Sequence, residues 1–420
     1  MNLKLLALLF CLITSACDTF AAFRAGIAIR NVTPDPLLPV SGGVGPGHPT
    51  TRKEGELTVR ALVFEQDGTR VAIVSADFLG FPSTLGNRVR AAVKGIAPGN
   101  ILIGATHTHS APDCYGFPDG KGGTSSDPKY LEIVCTRMAE AINEAMEKLQ
   151  PARLKVATGE AKGTIAYNYY APQLYDPRCH VIQALDASGK PIATLVNYAI
   201  HPEVLGNDIG ICSPDLIGPL YDRISASGGG TGIFMNSAQG GMVTADNRRP
   251  NGGEARNWEE CRRIGELLAD EALRIVQDAP EQPSPKLSSS ARSLSFPVDS
   301  LLMRDLLKKL PRAAGVAEGT LTTQMNVVNV GNAQILTIPG EALPNIGYYL
   351  KRKMRGEHNL LFGLTNDAFG YILTKEDYNS FKRYSYVSQT SLGERTGEIL
   401  VNEALKFVSE CPQPEALLKK

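Results

Sequence analysis

The chain has 420 residues and a mass of 45.1 kDa, is 43% hydrophobic and 20% charged, and so has globular composition sufficient for one large domain or two ordinary ones. Disordered, collagen-like and coiled-coil proteins are excluded. Its 43 basic residues balance 43 acidic ones, and a leader holding only Lys4 and Asp18 leaves that balance unchanged, which argues against a nucleic-acid-binding surface on the scale of the whole protein.

The opening segment MNLKLLALLFCLITSAC places one positive charge, Lys4, before an apolar run from Leu5 to Ile13. That run is too short to span a bilayer and suits a secretory leader, so residues 1–21 are read as an export signal. Two endings fit the small residues: cleavage near Ala21 or Ala22, or lipidation of Cys17, since Ser15-Ala16-Cys17 resembles the end of a lipobox. No later stretch reaches the roughly 18 apolar residues of a membrane span. The mature protein is expected outside the cytoplasm, free or tethered at its first residue. Six cysteines remain beyond the leader (Cys114, Cys135, Cys179, Cys212, Cys261 and Cys411), with no CxxC pair, so a thiolate metal site is not indicated and no pairing is specified.

In chain order, Leu57–Asp67 and Arg70–Ala76 read as strands joined by a hairpin at Asp67-Gly68. Further strands are predicted at 101–105, 181–184, 192–198, 232–235 and 327–338. Asp127-Pro128 starts the clearest helix, with Leu131, Val134, Met138, Ile142 and Leu149 among the residues of its apolar stripe. A second helix is predicted over about 258–276 and a third around 399–408. The Pro-rich stretch 279–285 is read as a connection within one domain. Alternating strands and helices without repeats predict an α/β fold with mixed β-sheets flanked by helices, a single domain over 22–420.

Three of the six histidines directly follow apolar strand-like runs: His107 and His109 after Ile101–Ala105, and His201 after Ile192–Tyr198. Residues i and i+2 of a strand face one side, so His107 and His109 can address one cavity, and a His-x-His pair can ligate one metal. The bland alternative is that strand-end histidines are packing or surface residues. HExxH, GxxxxGK[ST], GxSxG and a strand-linked GxGxxG are all absent, and Gly228–Gly232 precedes a strand as a loop.

Taken together, several collinear segments resemble the catalytic domain of the neutral/alkaline (non-lysosomal) ceramidases, a family of zinc-dependent amide hydrolases. They are GIAIRNVTP (26–34), RVAIVSADF (70–78), THTHSAP (106–112), NYAIHP (197–202), SPD (213–215), PGE (339–341), Gly370-Tyr371 and Glu376-Asp377-Tyr378. The resemblance implies a zinc ion held by His107, His201, Glu341 and Tyr371, with His109 as an acid/base histidine beside it. It further suggests an oxyanion-stabilising role for Tyr384, which sits one residue out of register. For Glu341 and Tyr371 the alternatives are a first-turn helix carboxylate and strand packing. His48, His180 and His358 match nothing in the family and are read as surface or structural.

The chain departs from the family where a Gly-Asp-Val-Ser-Pro segment is expected. Asn236-Ser-Ala-Gln-Gly-Gly-Met-Val-Thr-Ala-Asp246 lacks that serine, and a one-residue shift offers Thr244 in its place. Asn168 stands for the substrate-binding asparagine, but Tyr169 and Tyr170 follow it where an arginine is expected. A C-terminal immunoglobulin-like domain is not expected within 420 residues. The resulting expectation is an exported zinc hydrolase that cleaves an amide of a small-molecule or lipid substrate with metal-activated water. The alternatives are the same chemistry on a glycan or small amide or ester, a binding protein that lost catalysis, and a serine hydrolase using Ser110 or Ser237.

Overall fold

The computed structural model describes residues 22–309, 316–317 and 319–416. The predicted leader, with Cys17, lies outside the described residues. Among the described residues no helix is long and apolar enough to cross a membrane.

Three large sheets are each built on the same plan: an antiparallel hairpin, a helix, and a strand that returns parallel to the second hairpin strand. In the first sheet Thr58–Gln66 and Thr69–Ala76 form the hairpin, Ser83–Ala92 is the helix, and Ile101–Ala105 returns beside 69–76. In the second, Arg178–Leu185 and Pro191–Tyr198 are followed by helix Ile217–Ala226 and strand Thr231–Asn236. In the third, Thr320–Val330 and Ala333–Thr337 are followed by helix Pro344–Lys353 and strand His358–Phe362. The remaining long strands extend the antiparallel sides: Arg24–Asn31 in the first sheet, Arg153–Glu160 in the second and Leu287–Pro297 in the third.

The inner faces of all three sheets share one core, to which Leu62, Phe64, Ile182, Leu195, Val328 and Ile335 belong. The outer faces are covered separately. Helices 83–92 and Pro128–Glu147 cover the first sheet, 217–226 and Trp258–Gln277 the second, and Leu301–Lys309, 344–353 and Thr396–Glu410 the third. Strands covered on both faces read as continuous apolar runs, which is why 101–105 and 192–198 showed no alternation. Full burial of each such leucine, isoleucine or valine contributes about 1.5–3 kcal/mol.

Local signals placed most elements. Asp67 and Gly68 both have positive φ (48° and 78°), as a two-residue primed turn requires. The Asp127 carboxylate caps its helix by accepting from the Lys129 and Tyr130 backbone N–H groups at 2.8 and 3.1 Å. The stretch 327–338 is two strands, because Gly331 (φ 55°) and Asn332 turn the chain inside it. The Pro-rich connection contributes Glu281–Gln282 to the edge of the second sheet. All six cysteines beyond the leader are buried.

In each parallel pair the two C-terminal ends point the same way, and hydrogen bonds tie the three sets of ends together. The Asn236 side-chain amide donates to the Thr106 and Ile200 carbonyls at 3.0 and 2.7 Å. Gly363 N–H reaches the Asn236 carbonyl at 2.9 Å, and the Asn197 amide donates to Leu361 O at 2.8 Å. Loops leaving C-terminal strand ends in mixed and parallel sheets are the usual place for a site. Here three such ends meet.

Candidate metal centre and its cavity

His107 and His109 leave the end of strand 101–105, His201 leaves 191–198, and Glu341 leaves 333–337. His107 does not continue the strand: its φ is +75°, a left-handed conformation that costs a non-glycine residue about 1–3 kcal/mol. Its backbone N–H donates to Phe78 O at 2.9 Å and its ring Nδ1 to Leu79 O at 2.6 Å, which hold the turn. The two histidines of the His-x-His pair therefore face one point because of a turn, not because of strand alternation. Their ring centroids are 4.9 Å apart, and His201 lies 4.6 Å from His107 and 5.7 Å from His109.

The hydrogen-bond chemistry of these rings fixes which nitrogen is free. The Nδ1 of His107 faces the Leu79 carbonyl and the Nδ1 of His201 the Val243 carbonyl, at 2.6 and 2.8 Å, and a carbonyl can only accept. Each Nδ1 therefore carries a proton, and in the neutral ring the lone pair is then on Nε2, as a metal-ligating histidine requires. The Nε2 atoms of His107 and His201 stand 3.4 and 3.2 Å from Oε2 of Glu341. Those contacts fall short of hydrogen-bond geometry, and all three atoms, with Nε2 of His109, are buried without a partner. Burying unpartnered polar atoms is costly, and four of them at one point demand an explanation. Ligand atoms around a tetrahedral metal with bonds of about 2.0–2.1 Å stand roughly 3.4 Å apart, which matches the spacing seen. The donor set fits a divalent cation, and the ligand atoms of His107, His109 and His201 lie within 4.8 Å of one another.

Glu341 lies in a two-residue strand paired parallel with Tyr371–Ile372, and Glu341 is the register partner of Tyr371. Paired residues project to one face, so the sheet sets the phenol beside the carboxylate. The turn 237–242 packs directly on this strand: Gly240 N–H donates to Ala342 O at 3.0 Å, and a Cβ at Gly240 would fall 2.2 Å from Glu341 O. Burial opposes a negative charge on Glu341, but the adjacent His107 and His201 imidazoles outweigh it and hold the carboxyl well below its usual range. Burial likewise opposes a proton on His201, yet Glu341 and the charge of Glu203 together outweigh it and raise that pKa. Bound metal competes with such a proton for the same lone pair. Burial and then the Glu341 charge raise the Tyr371 phenol well above 10. Its hydroxyl points at Met242 Sδ, 3.3 Å away.

A cavity of about 1010 Å³, counted to its open mouth, is lined in part by His107, His109, Glu341 and Tyr371. Most of its remaining wall is apolar, with Met303, Leu306 and Leu307 from helix 301–309 and Leu321, Phe117 and Phe369 facing them. Tyr115, stacked on Phe117 at 4.7 Å, and Tyr386, edge-on to Tyr371 at 5.9 Å, complete it.

The other residues singled out in the sequence lie around this point rather than in it. Thr244 bridges His201 through the backbone in the short strand Val243–Ala245, and it is the neighbouring Val243 carbonyl that holds the imidazole. Tyr384 packs in a small cluster with Leu343, Tyr371 and Val387, its ring 5.3 Å from that of Tyr170. Asn168 spends its amide on its own loop: Oδ1 accepts from the Tyr170 and Ala171 N–H groups and Nδ2 donates to Leu174 O. Ser110 Oγ donates to Gly206 O at 2.6 Å, and Ser237 Oγ is buried without a partner. His180 is buried, with its Nδ1 2.8 Å from Thr158 Oγ1, and His358 approaches the same hydroxyl at 3.0 Å. Tyr115, Tyr386 and the wall of helix 301–309 carried no local signal. Tyr386 lies two residues beyond Tyr384, so the register offset there was the one available hint.

Comparison with known proteins gives one consistent result. The chain is 25% identical to the neutral ceramidase of Pseudomonas aeruginosa over 264 residues, 56% of this chain and 39% of that protein. It is 26% identical to neutral ceramidase A of Dictyostelium discoideum over 220 residues, 46% of this chain and 30% of the relative. In structure it matches crystallised P. aeruginosa neutral ceramidase with a TM-score of 0.74 at 18% identity, covering 95% of this chain and 76% of that one. The chain is similar to the neutral ceramidases in sequence and matches them in fold. A ceramidase complexed with C2 matches with a TM-score of 0.72 at 19% identity. The sequence matches span about two fifths or less of the curated relatives' length. No family model matches the chain. The mixed sheets flanked by helices are thus the neutral ceramidase fold.

Proposed function

We propose that the protein is an exported zinc-dependent hydrolase that cleaves the amide bond of an N-acyl lipid, ceramide being the first substrate to test. The observation that carries this reading is the convergence of unpartnered His107 Nε2, His201 Nε2 and Glu341 Oε2, at tetrahedral spacing, beside a largely apolar cavity that His107 and Glu341 line. Two neutral imidazoles, a carboxylate and a phenol suit zinc, which prefers nitrogen and oxygen donors of this kind and leaves room for substrate. Zinc bound there supplies Lewis acidity, polarising a carbonyl and making water a competent nucleophile near neutral pH.

The chain's own residues supply the rest. His107, His201 and Glu341 would hold the cation, the two imidazoles fixed through Nδ1 by backbone carbonyls, and Tyr371 stands beside Glu341 as the fourth candidate ligand. His109, whose Nε2 faces the same point, is placed to take a proton from water and return it to the departing amine. The wall of Met303, Leu306, Leu307 and Leu321 takes an acyl chain and excludes water from the reacting carbonyl. Tyr384 and Thr244 adjoin the centre without lining the cavity, so any part they take is through Tyr371 and His201, which they flank.

A second reading, the same chemistry on a different amide or ester, is favoured by one observation: the polar atoms of Asn168 are occupied by its own loop. One assay separates the two. The mature protein is offered a fluorescent short-chain ceramide at neutral pH, before and after chelation and zinc return. Chelator-sensitive cleavage is expected. Cleavage of simple amides or esters but not of ceramide would select the second reading, and cleavage indifferent to chelation would overturn both.

A further inference from the structure

The segment after His201 brings a carboxylate to the far side of His109. His109 N–H donates to Pro202 O at 3.2 Å, so the two histidine-bearing loops run side by side, and Glu203 N–H turns back on His201 O at 3.0 Å. This places Oε2 of Glu203 3.3 Å from Nδ1 of His109. On the ring's other side Nε2 is buried, unpartnered and directed at the metal centre. Gly42 packs beside the same residue: a Cβ there would fall 3.1 Å from Cβ of His109, closer than ordinary van der Waals contact.

We propose that Glu203 is the positioning residue for His109: its carboxylate accepts the Nδ1 proton, fixing the tautomer and ring orientation that present Nε2 to the reacting atoms. The proposal rests on the hydrolase reading above for the role of His109. Among the described residues the Glu203 carboxylate has no lysine or arginine within ion-pair distance, and His109 is its one such partner. Its side chain is only 24% exposed. A largely enclosed carboxylate without a cation adds little to stability and is better explained by the histidine it faces. Carboxylate–imidazole pairs of this kind orient acid/base and ligand histidines generally. His107 and His201 are oriented by backbone carbonyls, which no substitution can remove. His109 is oriented by a side chain, so this assignment can be tested.

The test combines two readouts on zinc-loaded protein. The first is a double-mutant cycle of Glu203→Ala and His109→Ala, assayed with fluorescent short-chain ceramide and with a 4-nitrophenyl ester, whose leaving group needs no proton. Glu203→Ala should lower kcat for the amide about 10- to 100-fold with KM and zinc content unchanged. It should lower the ester rate less, and should add nothing in the His109→Ala background. The second readout needs no turnover: with selective 15N-histidine labelling, the hydrogen-bonded Nδ1 proton of His109 should be present in the parent protein and lost in Glu203→Ala. Multiplicative kinetic losses, equal losses on amide and ester, or an unchanged Nδ1 signal would overturn the proposal. An inactive parent protein in which that signal still depends on Glu203 would overturn the hydrolase reading while leaving the pairing intact.

Discussion

Two buried clusters of charge in this molecule are built to opposite rules. Around Asp176 each charge is answered from within: Arg178 donates to both carboxylate oxygens at 2.7 and 2.8 Å, and buried Lys351 donates at 3.1 Å. Beside it Thr158 serves both His180 and His358, leaving only Nε2 of His180 over. Around Glu341 a carboxylate and three imidazoles are arranged so that one atom of each is left without a partner. The first cluster is complete as a protein and belongs to the structure. The second leaves donor atoms whose spacing fits a cation, and the difference separates architecture from function where composition alone would not.

That contrast can be broken most directly at His201. His201→Ala should abolish bound metal and reduce turnover to background while the fold is retained, since it removes one of the four unpartnered atoms; metal analysis, activity and circular dichroism check it. Retained metal with full activity would erase the distinction between the clusters. At Asp176 the expectation is reversed. Asp176→Ala leaves Lys351 buried and uncompensated, and should cost about 3–5 kcal/mol in denaturant unfolding with zinc affinity unchanged. The paired replacement Asp176→Asn with Lys351→Met should recover much of that loss. A smaller effect marks the edge of the metal centre. Thr244→Val should change kcat within a few-fold, because Val243 O and not the threonine hydroxyl holds His201; a loss of 100-fold or more would make Thr244 a participant.

What the sequence disclosed follows from how local each cause is. Helix 128–147 was readable from its Asp-Pro start and apolar spacing, and the first hairpin from Asp67-Gly68, because those causes lie within a few residues. His107, His109 and His201 were marked by the apolar runs before them, since buried strands and their C-terminal ends are recognisable without knowing the partner strands. The left-handed turn at His107 was not readable: it is set by Phe78 and Leu79, which come from another strand end. Gly331-Asn332 lay inside a run that read as one strand. Glu203 and the wall of Leu306 and Leu307 were invisible for a related reason. Each acquires its meaning from a residue about 100 or more positions away, His109 in one case and the cavity in the other, and only the packed sheets create that neighbourhood. Glu341 and Tyr371 entered through family resemblance alone, and the parallel pairing that sets them side by side could not have been inferred from either segment.

The measurement that bears most directly on the metal centre is zinc K-edge X-ray absorption on the mature protein, with stoichiometry determined on the same sample. The account predicts one zinc per chain in a shell of nitrogen and oxygen at about 2.0–2.1 Å, with two imidazoles and no sulfur. Absence of stoichiometric zinc after loading, or a sulfur ligand at about 2.3 Å, would contradict it.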